Sequence, residues 1–378
     1  MIDRLLLLGL KSLLVSSITL VLLRLAARKS AGSRSMIAHL GLLALLALPL
    51  ASFLLPHLPI ALGFPALPIA SGSADAVSPK SILSTDVLVA ALYVVPTTTM
   101  ILAMLLAAIR LNALRADARQ VIHPDWRNCL NQAQRHMGLK RPIALLVSSR
   151  LSSPVTCGLF RPAIVLNEDG LCDIANAEAI IAHELAHVAR FDCAKLLLGR
   201  VVAALFWINP LVWMVVSEAH QLREETADDT VLALNISATG YAELLVGIAR
   251  RESHASLLYA HGVAANWRSI RRRIARILDG KLNRGDAHRS WAIGLALGML
   301  VVVAPLGAVA LETHPADGPQ IAWRQISPWP GQELSLSDKQ TALTAFAITK
   351  PPNIQLQLMR REMLRWNLRP KETPQTAR

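Results

Sequence analysis

Four apolar runs, each about twenty residues long, limit what this 378-residue chain can fold into. They cover residues 5–24, 36–56, 87–109 and 291–311. A helix needs about 20 apolar residues to cross about 30 Å of hydrocarbon, so each run is a candidate span. Composition agrees, with 53% of residues hydrophobic and only 17% charged. Lys11 interrupts the first run near one end, where its stem can carry the ammonium to the nearer surface. No small-x-small site precedes the "AARKSAGSR" that follows, so the run is not read as a cleaved signal. Pro96 breaks the ladder of the third run, and Thr97, Thr98 and Thr99 carry hydroxyls suited to the carbonyls it frees.

The loops orient these runs. Arg24, Arg28, Lys29 and Arg34 lie between the first two, and Arg110, Arg115 and Arg119 follow the third. Eight basic residues, from Arg268 to Arg289, precede the fourth, whereas the loop 57–86 holds Lys80 alone. Positive charge collects on the cytoplasmic side, which puts both termini outside. Residues 1–109 are then three spans, 110–290 a cytoplasmic domain, 291–311 a fourth span and 312–378 an external tail. The net charge of +13 is thereby explained by topology, so membrane lipid is an expected partner and direct nucleic-acid binding is not. Cys129, Cys157, Cys172 and Cys193 form no CxxC pair, which argues against a cysteine–zinc cluster, and a reduced cytoplasmic setting argues against a disulfide framework.

Within the expected cytoplasmic domain, "AIIAHELAHVARFD" (179–192) places His183 and His187 four apart on one helix face, where both can reach one ion. Glu184 sits beside them, able to take a proton from a water at that ion. A catalytic zinc needs a third protein ligand and an open position. "QLREETADDTVLAL" (221–234) offers Glu224, with Asp228 one turn later to orient a histidine from behind. Glu225 and Asp229 are the alternatives, and a solvated acidic face is the reading without a metal.

Taken together, "AHELAHVARFD", "WINPLVW" (207–213), "REETADDTVL" (223–232) and "SSPVTCGLFRPAIVL" (152–166) resemble the BlaR/MecR-type membrane zinc peptidases. The likeness runs from the first span to about residue 285. It implies Glu224 as third ligand with Asp228 behind it, one Zn2+ per chain, and a mainly α membrane protein with an inserted cytoplasmic α+β peptidase domain of gluzincin type. It also implies a protein substrate in the cytoplasm, a transcriptional repressor above all. In gluzincins an edge strand holds the substrate backbone. That role falls here on Pro154, Val155, Thr156, Cys157 and Gly158, a plain hairpin being the alternative.

Residues 194–217 are apolar enough to span, yet a single crossing would put His187 and Glu224 on opposite sides of the membrane. One metal could not bind both, so the chain must return. Asn209–Pro210 is the natural break, giving a helical hairpin that is buried in the domain or dips into the membrane. "ILDG" (277–280) resembles a site-2-type protease motif, but Asp279 lies among Arg276, Lys281 and Arg284, outside any apolar run. The basic run 268–289 reads as a juxtamembrane helix against anionic lipid, with self-cleavage there as the alternative.

The leading expectation is a signal-transducing antirepressor peptidase in the bacterial inner membrane. A quality-control protease of HtpX/CAAX type and a non-enzymatic receptor are the alternatives. The sequence leaves the oligomeric state open, a homodimer included. The β-lactam-sensing relatives carry an external penicillin-binding domain with an SxxK serine. Residues 312–378 hold no SxxK, so covalent penicillin binding is not expected. "IQLQLMRREMLRWNLR" (354–369) has the pattern of an amphipathic helix.

Overall fold

Apolar runs in lipid satisfy their backbone groups only by coiling, and here they form long helices. A computed structural model describes residues 2–54, 58–59, 85–255, 260–285 and 289–310. The chain divides into Met1–Thr313 and His314–Arg378, and every described residue lies in the first unit. The expected tail, its amphipathic stretch and most of the loop 57–86 fall outside the described residues. Helices α1 (Ile2–Leu25), α2 (Ala31–Leu54) and α3 (Thr85–Asp117) are each long and apolar enough to cross a membrane. The fourth expected span falls on α11 (Arg289–Ala308), whose apolar core, Ile293–Gly307, is shorter. Two-residue strands β1 (Leu58–Pro59) and β6 (Val309–Ala310) pair in parallel.

Close contact between α1 and α2 depends on small residues. A Cβ on Gly41 would lie 2.4 Å from the Thr19 side chain, so only glycine lets the helices meet there. Lys11 does not reach open surface. It is buried, with Nζ 3.5 Å from Ser52 Oγ towards the same end of the helix pair. The threonines after Pro96 also act differently from expectation. A proline frees the carbonyl four residues back, that of Leu92, but Thr97, Thr98 and Thr99 bond the carbonyls of Tyr93, Val94 and Val95.

The chain between residues 194 and 217 reverses. Helix α7 (Asp192–Leu205) ends at Phe206, and α8 (Pro210–Ala233) starts on a proline at its first position. Asn209 caps α8, its Oδ1 accepting the Leu211 N–H at 2.9 Å. Its amide donates to Ser12 Oγ at 3.0 Å, halfway along α1. Val202, Phe206, Val212 and Val215 of the hairpin share one core with Val15, Leu42 and Leu45 of α1 and α2. On the other side, the Tyr93 hydroxyl of α3 donates to the Leu205 carbonyl.

The rest is a small sheet with helices around it. Strands β2 (Arg119–Gln120), β3 (Ala144–Ser148), β5 (Ala163–Asn167) and β4 (Val155–Cys157) lie in the order β2-β3-β5-β4. β3 and β5 are parallel, with Ala144 opposite Ala163, and β4 returns antiparallel at the edge, with Thr156 opposite Ile164. All of β5 is buried because both its faces are covered. Ile164 and Leu166 pack with Trp126 of α4 (Pro124–His136) and with Ile181 and Leu185 of α6 (Ala177–Ala189). Ala163 and Val165 face Leu111 and Leu114 at the end of α3. The short α5 (Glu168–Leu171) leads into α6, and α9 (Ala238–Ala255) and α10 (Ala260–Leu278) complete this part. Trp126 Nε1 donates to the Leu171 carbonyl, fixing that connection.

Candidate metal centre

Helix α6 is rich in alanine, the best helix former, and it buries Ile180, Ile181, Leu185 and Val188. That packing fixes its rotation and turns His183, Glu184 and His187 into a cleft of about 390 Å³. The two Nε2 atoms are 3.3 Å apart. Two nitrogens each about 2.05 Å from a tetrahedral zinc lie about 3.3 Å apart, so the pair has the required opening. Glu224 of α8 comes to both rings, 3.6 Å from His183 Nε2 and 3.9 Å from His187 Nε2. Among the described residues these three form the group of donors that could hold a metal ion.

The far nitrogens of both rings are occupied, which leaves the near ones for an ion. His187 Nδ1 is 2.7 Å from Asp192 Oδ2. His183 Nδ1 is 2.9 Å from the Tyr241 hydroxyl, which itself donates to Asp228 Oδ1 at 2.7 Å. Asp228 is 3.4 Å from the ring, too long for a good hydrogen bond. The expectation that Asp228 orients a histidine therefore takes a longer route, through the phenol of α9. With Nδ1 as the donating atom in each ring, Nε2 is the atom left to bind an ion once any proton on it is displaced.

Asp192 reaches His187 because of one backbone feature. Phe191 adopts the left-handed conformation, φ 55°, so α6 and α7 are joined by a single tight corner. Arg141 stacks over its ring at 4.3 Å and helps hold it. Burial would raise the Asp192 carboxyl, but the His187 hydrogen bond and the charges of Arg190 and Lys195 hold it well below the usual carboxylate range.

Glu225 and Asp229 turn away from the histidines. Glu225 meets Arg272 at 2.5 Å and Arg276 at 3.3 Å, and Asp229 meets Arg276 at 3.1 Å. Arg273 grips Asp228 with two hydrogen bonds, of 2.8 and 2.7 Å, and lies 3.4 Å from Glu224. The acidic face of α8 is thus buried against arginines of α10. This corrects the reading of 268–289 as a helix facing anionic lipid: Arg272, Arg273 and Arg276 face α8, while Arg268 and Arg271 are exposed. Burial opposes the charge on Glu224, but the nearby His183 ring and the charges of His187 and Arg273 keep its carboxyl well below the ordinary range.

Pro154, Val155 and Thr156 line the cleft, and β4 leaves one edge without a strand partner among the described residues. Thr156 Oγ1 is 2.6 Å from Glu184 Oε2. Cys157 points the other way, buried with Leu111 and Leu114, and so takes no part in the cleft wall. Gly158 ends the strand at φ +87°, where a Cβ would lie 2.4 Å from the Arg161 carbonyl oxygen. Asp192, Tyr241 and Arg273 were not anticipated from the sequence. Only Asp192, inside "HELAHVARFD", carried a local signal.

A carboxylate beside a pair of free imidazole nitrogens and an acidic third donor can hold a divalent cation and take a proton from water. The comparisons with known proteins agree with that chemistry. The chain is 23% identical over 249 residues to "Regulatory protein BlaR1" of Bacillus licheniformis, a match covering 63% of this chain and 41% of that protein. The chain thus matches well under half of that relative's length. A profile described as BlaR1 peptidase M56 matches residues 64–277, more than half of the chain. With three helices able to cross a membrane, the chain is a membrane protein that belongs to the BlaR1 peptidase M56 family.

Proposed function

We propose that this protein is a zinc endopeptidase of gluzincin type whose site faces the cytoplasm. The carrying observation is the 3.3 Å separation of the His183 and His187 Nε2 atoms, with Glu224 against both and each far nitrogen occupied. His183, His187 and Glu224 would hold the zinc, which when bound polarises a water and a peptide carbonyl. Glu184 is the proton carrier: it takes a proton from the attacking water and returns it to the leaving amine. The edge of β4, Pro154 to Gly158, holds the substrate backbone by strand addition. Asp192 and Tyr241 keep both imidazoles turned to the cleft, and Asp228 and Arg273 hold Tyr241.

On this reading the chain crosses the bacterial inner membrane with both termini outside, α11 supplying the fourth crossing. The α7–α8 hairpin enters the bilayer from the cytoplasmic side, supported by the contact of Asn209 with the middle of α1. Family membership supports a role in signalling, with a cytoplasmic transcriptional repressor as substrate. The test is Glu184→Gln. It should keep its zinc but lose cleavage by at least about 100-fold, since it removes the base and no ligand. A variant that still cuts excludes Glu184 as the base. The same variant, expressed in the native host, should trap the substrate, and recovery of membrane proteins alone would favour a quality-control role.

A further inference from the structure

Thr156 stands on the strand that borders the cleft, and its hydroxyl faces α6 rather than solvent. Oγ1 lies 2.6 Å from Glu184 Oε2 and 3.0 Å from the Glu184 carbonyl oxygen. A hydroxyl has one proton to give. The carboxylate oxygen is closer and charged, and the carbonyl lies inside α6, where a helical N–H serves it. The proton therefore goes to Oε2.

We propose that Thr156 is a positioning residue for peptide hydrolysis, its hydroxyl tying up one oxygen of Glu184 so that the other is presented to the reacting water. This rests on the peptidase reading above. The terminal torsion of a glutamate is broad, so a carboxylate at the side of a cleft does not hold one angle by itself. Thr156 can hold it because its own side chain is β-branched and its backbone is fixed opposite Ile164. In the step so prepared, the water oxygen bonds to the peptide carbonyl carbon and its proton passes to the free oxygen of Glu184. The C–N bond then breaks and that proton goes to the departing nitrogen. Nothing is oxidised or reduced. Because Thr156 belongs to the strand that would pair with the peptide, one element sets the register of both substrate and base.

Full-length protein in detergent, assayed on fluorescein-labelled casein, tests this with Thr156→Val, Thr156→Ser and Glu184→Gln. Valine keeps the shape and removes the proton. It should lower kcat about 10- to 100-fold with KM within about twofold and zinc content unchanged. Serine should recover most of that loss. Unchanged kcat in Thr156→Val, a change confined to KM, or a serine variant as slow as the valine one overturns the proposal. A second measurement does not depend on turnover: the Glu184 carboxylate band, isolated as the infrared difference from Glu184→Gln, should shift in Thr156→Val and stay in Thr156→Ser. An unshifted band overturns the proposal whether or not casein is cut. Zinc-loaded wild type that cuts neither casein nor the proteins trapped by Glu184→Gln, while the band shifts, refutes the peptidase reading instead.

Discussion

His183 is held from three sides, by Glu224, by the Tyr241 phenol and, through it, by Asp228. Burial by itself would lower its pKa, but the carboxylates of Asp228 and Glu224 beside the ring outweigh burial and raise it to about 9. Without a metal, the charged ring stabilises the fold fully below its ordinary value near 6.5, and this is lost as pH rises through about 9. Zinc has to displace that proton, so binding near pH 7 should release about one proton at this ring and tighten towards pH 9. Calorimetric titration of chelator-stripped protein in buffers of different ionisation enthalpy counts the protons, and no release at pH 7 would contradict the assignment. The spacing of His183, Glu184 and His187 was legible because a helix converts i and i+4 into one face. Tyr241 lies 58 positions from His183, and nothing local to either residue announces the contact. Asp192 lay in view, but its use depends on the left-handed corner at Phe191, which an aromatic residue does not signal.

At the scale of elements, α8 and α10 form a unit. Four acids of α8, from Glu224 to Asp229, meet Arg272, Arg273 and Arg276, with Arg284 just beyond α10. Buried carboxylates without partners are strongly destabilising, so α8 needs α10 in place. Arg273→Met should reduce the stability of the solubilised protein by about 3 kcal/mol, because it removes two hydrogen bonds and the paired charge from buried Asp228 and leaves only the Tyr241 hydroxyl donating to it. Thermal unfolding followed by circular dichroism checks this, and an unchanged Tm would contradict it. The acidic and basic runs were both plain in the sequence; their pairing was not, because charges 45 to 47 residues apart give no sign of which faces meet. The break at Asn209–Pro210 was legible, since proline and a capping side chain stand together there. For the proposed membrane hairpin, a cysteine at Ser217 should be labelled by a water-soluble maleimide from the cytoplasmic side only, and one at the exposed tip residue Ile208 from neither side. Labelling of Ile208 from outside would mean that the chain crosses there.

Over the whole molecule, one core joins α1, α2, α7, α8 and α11, and another joins the sheet to α4, α6 and α9. The metal-ligand candidates bridge them, His183 and His187 from the second and Glu224 from α8, which runs from the first. The apolar runs could be read because burial in lipid imposes a long pattern. How the two cores share α8 could not, since that depends on packing between distant segments. The central claim is that this junction is a zinc site, and metal analysis tests it most directly. Purified wild type and Glu225→Gln, a change at the neighbouring acid that faces α10, should each hold about one zinc per chain, and Glu224→Ala should lose it. Full zinc retention by Glu224→Ala would contradict the account.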